Sequence, residues 1–93
     1  MALSGQTTVT TAGTEVKLAD NQPCKAVLIK AMPSNTSAGI MYVGNDGENA
    51  VASTTGYPLQ VGDAPVVMEV LNLNQVWVDA SVSGEKVAWL LLA

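Results

Sequence analysis

Val76-Trp77-Val78-Asp79-Ala80-Ser81-Val82-Ser83-Gly84-Glu85-Lys86-Val87-Ala88-Trp89-Leu90-Leu91-Leu92 is the stretch that decides the fold class. Val76, Val78, Ala80 and Val82 point one way, and Trp77, Asp79 and Ser81 the other. That period of two belongs to a β-strand and not to a helix. Ser83-Gly84-Glu85 then turns the chain, and Val87 to Leu92 returns as a final strand. Taken locally, the two strands predict an antiparallel hairpin. The returning strand is apolar on both faces. An exposed edge of that kind aggregates, so the strand is expected in the centre of a sheet or buried against another subunit.

Working outward, the same alternation recurs in short segments. Gln6 to Thr11 is Thr-rich and extended. Thr14 to Leu18 alternates, with Val16 and Leu18 on one face. Cys24 to Ala31 is a strong strand, with Val27, Ile29 and Ala31 on one face and Ala26, Leu28 and Lys30 on the other. Leu28 beside Ile29 predicts cover on both faces for part of its length. Ile40 to Val43 is a short strand, followed by a tight turn at Gly44-Asn45-Asp46-Gly47, because Asn, Asp and Gly tolerate positive φ. Glu48 to Thr55 reads as a loop or a weak edge strand. Pro58 lacks an amide hydrogen and belongs at a strand edge or start. Val66 to Leu71 is another strand, closed by a turn at Asn72-Leu73-Asn74. Seven to eight short strands with turns every 8–12 residues predict an all-β chain, a small antiparallel β-sandwich or jelly-roll-like barrel. Residues 1–13 read as an extended N-terminal arm and 14–93 as one sandwich domain.

Composition agrees and excludes several functions. The chain has 93 residues, no Phe, two Trp and two Tyr. Val and Thr, both β-branched, suit a pleated, half-buried surface. Four Lys and no Arg stand against eight acidic residues, a net charge of −4. There is no basic stripe to neutralise phosphates, so neither nucleic acid nor an anionic membrane surface is an expected partner. One cysteine, Cys24, cannot form an internal disulfide and reads as core filler. The polar start, Met1 to Thr14, does not look like a signal peptide, and no apolar run has the length of a membrane span. The expectation is a soluble chain made in a cytoplasm.

Chemistry is hard to place on this chain. With no His, the usual general base is missing, and nothing activates Cys24 as a nucleophile. No catalytic residue, metal ligand or cofactor is expected. Asn45-Asp46-Gly47-Glu48-Asn49 gathers oxygen ligands but lacks the spacing of a calcium loop. Asn35-Thr36-Ser37 matches the glycosylation pattern and reads as plain loop. The acidic residues fall mainly in loops or on strand faces that read as solvated. The candidates are therefore interface residues. Trp77 is a large aromatic sharing a polar face with Asp79, and Trp is enriched at interface hot spots. Thr8, Val9 and Thr10 lie on an arm that could add to another chain's sheet edge. Trp89 sits in the two-sided apolar strand, and Tyr57 is a further aromatic candidate. Tyr57, Trp77, Asn72 and Asn74 could alternatively meet a sugar.

Several of these elements together resemble small tailed-phage virion proteins of the head decoration, or cement, type. The resemblance runs from Val27 to the C-terminus. It is carried by Val27-Leu28-Ile29-Lys30-Ala31, Ile40-Met41-Tyr42-Val43-Gly44, Gly56-Tyr57-Pro58-Leu59-Gln60-Val61-Gly62 and Val76-Trp77-Val78-Asp79-Ala80 before the Ser83-Gly84 turn. It implies a β-sandwich, often a homotrimer, that binds the major capsid protein on the outer surface of a virion and stabilises the capsid. It implies no catalytic residues. The alternative is a receptor- or glycan-binding module of a phage fibre or tail adaptor.

Overall fold

The computed structural model describes residues 3–36, 39–44 and 56–92. The Asn45-Asp46-Gly47 turn, the Glu48 to Thr55 segment and Ser37 of the glycosylation pattern fall outside them.

Among the described residues eight strands form: β1 (Ser4–Val9), β2 (Val16–Lys17), β3 (Val27–Ala31), β4 (Ile40–Gly44), β5 (Tyr57–Gln60), β6 (Val66–Met68), β7 (Trp77–Ala80) and β8 (Glu85–Leu91). A single turn of 3-10 helix, Leu73–Gln75, separates β6 from β7. The strands make two four-stranded sheets, in the orders β1-β8-β3-β6 and β2-β7-β4-β5. Every pairing is antiparallel. We call these sheet I and sheet II.

The two orders have one simple origin. β1 pairs with β8, β2 with β7, β3 with β6 and β4 with β5. This is a single long hairpin with its tip between β4 and β5. Rolling the hairpin brings β3 against β8 and β4 against β7, which completes the two sheets. The result is the eight-stranded jelly roll, a β-sandwich closed by nested Greek keys.

The strand alternation supplies the core. Val9, Val27, Ile29, Ala31, Val87 and Leu91 point inward from sheet I. Met41, Val43, Leu59, Val78 and Ala80 meet them from sheet II. Leu18, Leu73 and Val76 fill the end where the 3-10 turn lies. Burying each Val, Leu, Ile or Met side chain contributes about 1.5–3 kcal/mol. With no Phe, the layer between the sheets is filled by aliphatic side chains. The molecule measures 33 × 27 × 19 Å, and its short axis fits two sheets about 10 Å apart with their outer side chains.

Two expectations change. The predicted hairpin between the Trp77 and Trp89 strands does not form. β7 lies in sheet II between β2 and β4, while β8 lies in sheet I between β1 and β3. Residues 81–84 cross from one sheet to the other, so the two strands pack face to face instead of edge to edge. Alternation fixes which side chains turn inward, but it is the same for a hairpin and for this arch. The Gln6 to Thr11 segment is extended only as far as Val9, where β1 ends and the chain bends at Thr10 and Thr11, and within this chain the partner of β1 is β8. The Leu91 amide extends the ladder to the Leu3 carbonyl (2.8 Å).

The other elements follow their sequence signals. β8 is an internal strand, and Pro58 lies in edge strand β5. The Asn72-Leu73-Asn74 turn becomes a capped helical turn. The Asn72 side chain accepts from the Asn74 amide (3.0 Å), and Gln75 Oε1 reaches back to the Asn72 amide (3.2 Å), a capping box.

Candidate functional site

At both ends of the sandwich, several of the described loop residues are tied down by polar side chains. At one end, Asn35 Nδ2 donates to the Lys86 carbonyl (2.8 Å), and the Lys86 amide donates to Asn35 Oδ1 (2.9 Å). The nitrogen a glycan would need is thus held by the backbone. Ser83 Oγ accepts from the Ala12 amide (2.9 Å), and Ser81 Oγ from the Ile40 amide (2.9 Å). At the other end, Asn72 Oδ1 also accepts from the Gln22 amide (3.1 Å), and its Nδ2 donates to Asn21 Oδ1 (2.9 Å). Asn74 Nδ2 donates to the Asp20 carbonyl (3.1 Å). Both asparagines offered for sugar hydroxyls are therefore engaged in structure.

Two carboxylates are buried among the described residues, Asp79 and Glu85; they serve the same purpose and are exceptions to the expected solvated placement. Asp79 Oδ1 accepts from the Gly13 amide (3.0 Å) and the Ala80 amide (2.7 Å), so the 12–13 turn folds over it. Both oxygens of Glu85 accept from the Thr36 amide (3.1 Å each). Among the described residues, no buried side-chain nitrogen or oxygen lacks a partner. Cys24 donates from its thiol to the Val70 carbonyl (3.2 Å), and burial pushes its pKa up from the ordinary value. A thiol held protonated is the reverse of an activated nucleophile. No group of three or more His, Cys, Asp or Glu among the described residues is placed to hold a metal ion.

The candidate interface residues separate into two groups. Val9 and Asp79 are buried within the chain's own fold. Trp89 is half-buried. Its indole lies over Gly5, its opposite number on β1, where an added Cβ would collide with the ring. Its Nε1 donates to Thr7 Oγ1 (3.2 Å), and Thr7 Oγ1 donates to the Leu18 carbonyl (2.6 Å). Trp89 thus bolts sheet I to the end of β2. By contrast, Thr8 and Thr10 are exposed, Tyr57 is open at the start of β5, and Trp77 is half-exposed.

The outer sheet faces are open to solvent, and neither is uniformly polar; of the described loop residues, Leu71 (74%) and Val82 (39%) are also exposed. On sheet II, Trp77 lies opposite Lys17 on β2 and Gly44 on β4, while Tyr42 lies opposite Asp79 and Pro58. The Lys17 ammonium is 5.6 Å from the Trp77 ring centroid, within cation–π range. On sheet I, Val67, Leu28 and Leu90 stand abreast on three neighbouring strands, pointing away from the core. Val67 is 52% exposed and Leu90 36%, with Leu92 (49%) one row along. A shallow apolar groove runs there between Ser4, Leu28, Lys30, Ala88, Trp89 and Leu90.

Sequence reasoning did not single out Val67 or Leu90 and did not join them to Leu28. The signal was present in the two-sided apolar character of β3 and β8. For β3 it reads as cover on both faces, and for β8 as a central position or burial against another subunit; in the structure the outer face of both is open to solvent at Leu28 and Leu90. Comparison with known proteins found no matching family model, curated protein or solved structure.

Proposed function

We propose that this chain is a structural virion protein of the head decoration type, a jelly-roll module that stabilises a protein shell by packing against its outer surface. One observation carries the reading: both outer faces of the sandwich present apolar or aromatic side chains. Single exposed apolar residues are ordinary on a protein surface, but a contiguous set on an otherwise polar sheet marks a contact surface. A module that is adhesive on two opposite faces can touch a shell with one and a neighbour with the other. Many copies on one lattice then multiply a weak contact by multivalency. The jelly roll is compatible with this role, being used in viral coats, though the same fold also serves lectins and enzymes. The resemblance from Val27 onward points the same way.

Trp77 is the residue assigned to the shell contact, with Tyr42 and Pro58 beside it on sheet II. The test is co-sedimentation of the purified chain with expanded empty capsids of the phage that encodes it. Saturable binding that is lost in Trp77→Ala supports the reading, and absence of binding overturns it. The second reading, a glycan-binding module, draws on the half-exposed Trp77 ring as a stacking platform. A glycan array hit abolished by the same substitution would move the function there.

A further inference from the structure

The outer face of sheet I has a pattern that the capsid contact does not use. An antiparallel sheet with one wet face normally alternates apolar-in and polar-out. β1 obeys, setting Ser4, Gln6 and Thr8 outward. The middle of the sheet does not, because Val67, Leu28 and Leu90 form an apolar row across three strands. Charge is distributed unevenly about that row. Toward the Ala31 end of β3 the face carries Lys30, and next to it Lys86 on β8. In the opposite direction the β3–β6 register, continued to the Pro23–Asn72 bridge, sets Glu69 opposite Ala26. Glu69 is exposed and is the one acidic residue on this face among the described residues. Two of the four lysines therefore flank the apolar row on one side and one glutamate on the other, on a chain whose net charge is −4.

We propose that this face is a self-association surface and that its occupant is a second copy of the chain, turned antiparallel. A copy stacked in the same direction would set lysines on lysines. A copy turned by a twofold axis across the strands lays the Val67-Leu28-Leu90 row on its equivalent. It also brings each Glu69 to the lysine side of its partner. The contact is isologous, each patch meeting itself. Four strands about 4.8 Å apart and rows about 6.8 Å apart give a footprint of about 400 Å². That is small beside a standard interface of about 800 Å² per partner, so the dimer is a reversible one. The inference does not depend on the proposed capsid role, and it leaves the Trp77 face free.

The experiment is sedimentation velocity on the full chain, from micromolar to millimolar concentration. The expected result is a mass that rises from 9.6 kDa toward twice that value. Leu90→Glu and Val67→Glu, both at exposed positions, should hold the mass at the monomer value with an unchanged circular dichroism spectrum. Lys30→Glu and Glu69→Lys should each weaken dimerisation about fivefold, through two symmetric ion pairs. Combining them should restore it, because the pair is rebuilt with its signs exchanged. The charge exchange alone decides the matter if the glutamate variants do not fold. A monomer at every concentration, a trimer, a dimer indifferent to Leu90→Glu and Val67→Glu, or a double exchange no tighter than the single ones would overturn the proposal. Capsid binding is read separately, so the failure of either idea is visible without the other.

Discussion

Glu85 opens β8 just after the 81–84 crossing, and its carboxylate lies inside the protein against the Thr36 amide and Gly39. A Cβ on Gly39 would collide with that carboxylate, which is why this buried position holds glycine. Glu85→Ala leaves the Thr36 amide without its acceptor and should cost about 1–3 kcal/mol. Gly39→Ala overfills the same space and should also cost about 1–3 kcal/mol. Because the first change empties the space the second needs, the double variant should be more stable than the sum of the two costs predicts. Urea unfolding of the three variants checks this, and strict additivity would show that the two residues do not compete. Neither buried carboxylate was legible in the sequence. Asp79 alternates with inward valines and so reads as solvated. What covers it is the 12–13 turn, more than sixty residues earlier, which no local pattern reports.

β8 carries more of the structure than any other strand. It is the longest, it is flanked on both sides, and Trp89 fastens it across β1 to β2. The cross-strand pair of Gly5 and Trp89 matters most, because the indole uses the space a side chain at position 5 would fill. Gly5→Val should push the indole off, break the Trp89–Thr7–Leu18 relay and loosen β1. The uncovered edge of a strand that is apolar on both faces should then aggregate. Thermal melting with light scattering is the measurement, with a lowered transition and turbidity as the expected outcome. A Gly5→Val protein that melts like the parent and stays clear would remove Trp89 from this role. At this scale the sequence reveals strands well and pairings badly. The period of two located β3, β4, β7 and β8 within a few residues. It could not say that β7 and β8 belong to different sheets, because inward side chains look alike whether the partner lies beside the strand or across the core.

The whole molecule is one rolled hairpin, and its first and last described strands are neighbours. Trp89 and Thr7, which share a hydrogen bond, are 82 residues apart. Closing such a distance costs chain entropy before any contact repays it, so refolding should be slow for the chain's size, on the millisecond-to-second scale typical of β-sandwiches. Stopped-flow Trp fluorescence after dilution from urea measures it, and microsecond refolding would contradict the account. The fold class was legible because strand count, turn spacing and β-branched composition all point one way. The interaction surface was only half legible: Trp77 stood out as an aromatic on a polar face, but the Val67-Leu28-Leu90 row exists only once three distant strands are set in register. The nesting of β1 against β8 also decides how the molecule bears load. Pulled apart at Leu3 and Leu92, the ladder opens from its end, one pair at a time, as a zipper does, and yields at low force. Pressed through its two broad faces, the same molecule distributes the load over all eight strands and a close-packed aliphatic layer. It is soft to a tug on its ends and stiff to a squeeze between neighbours.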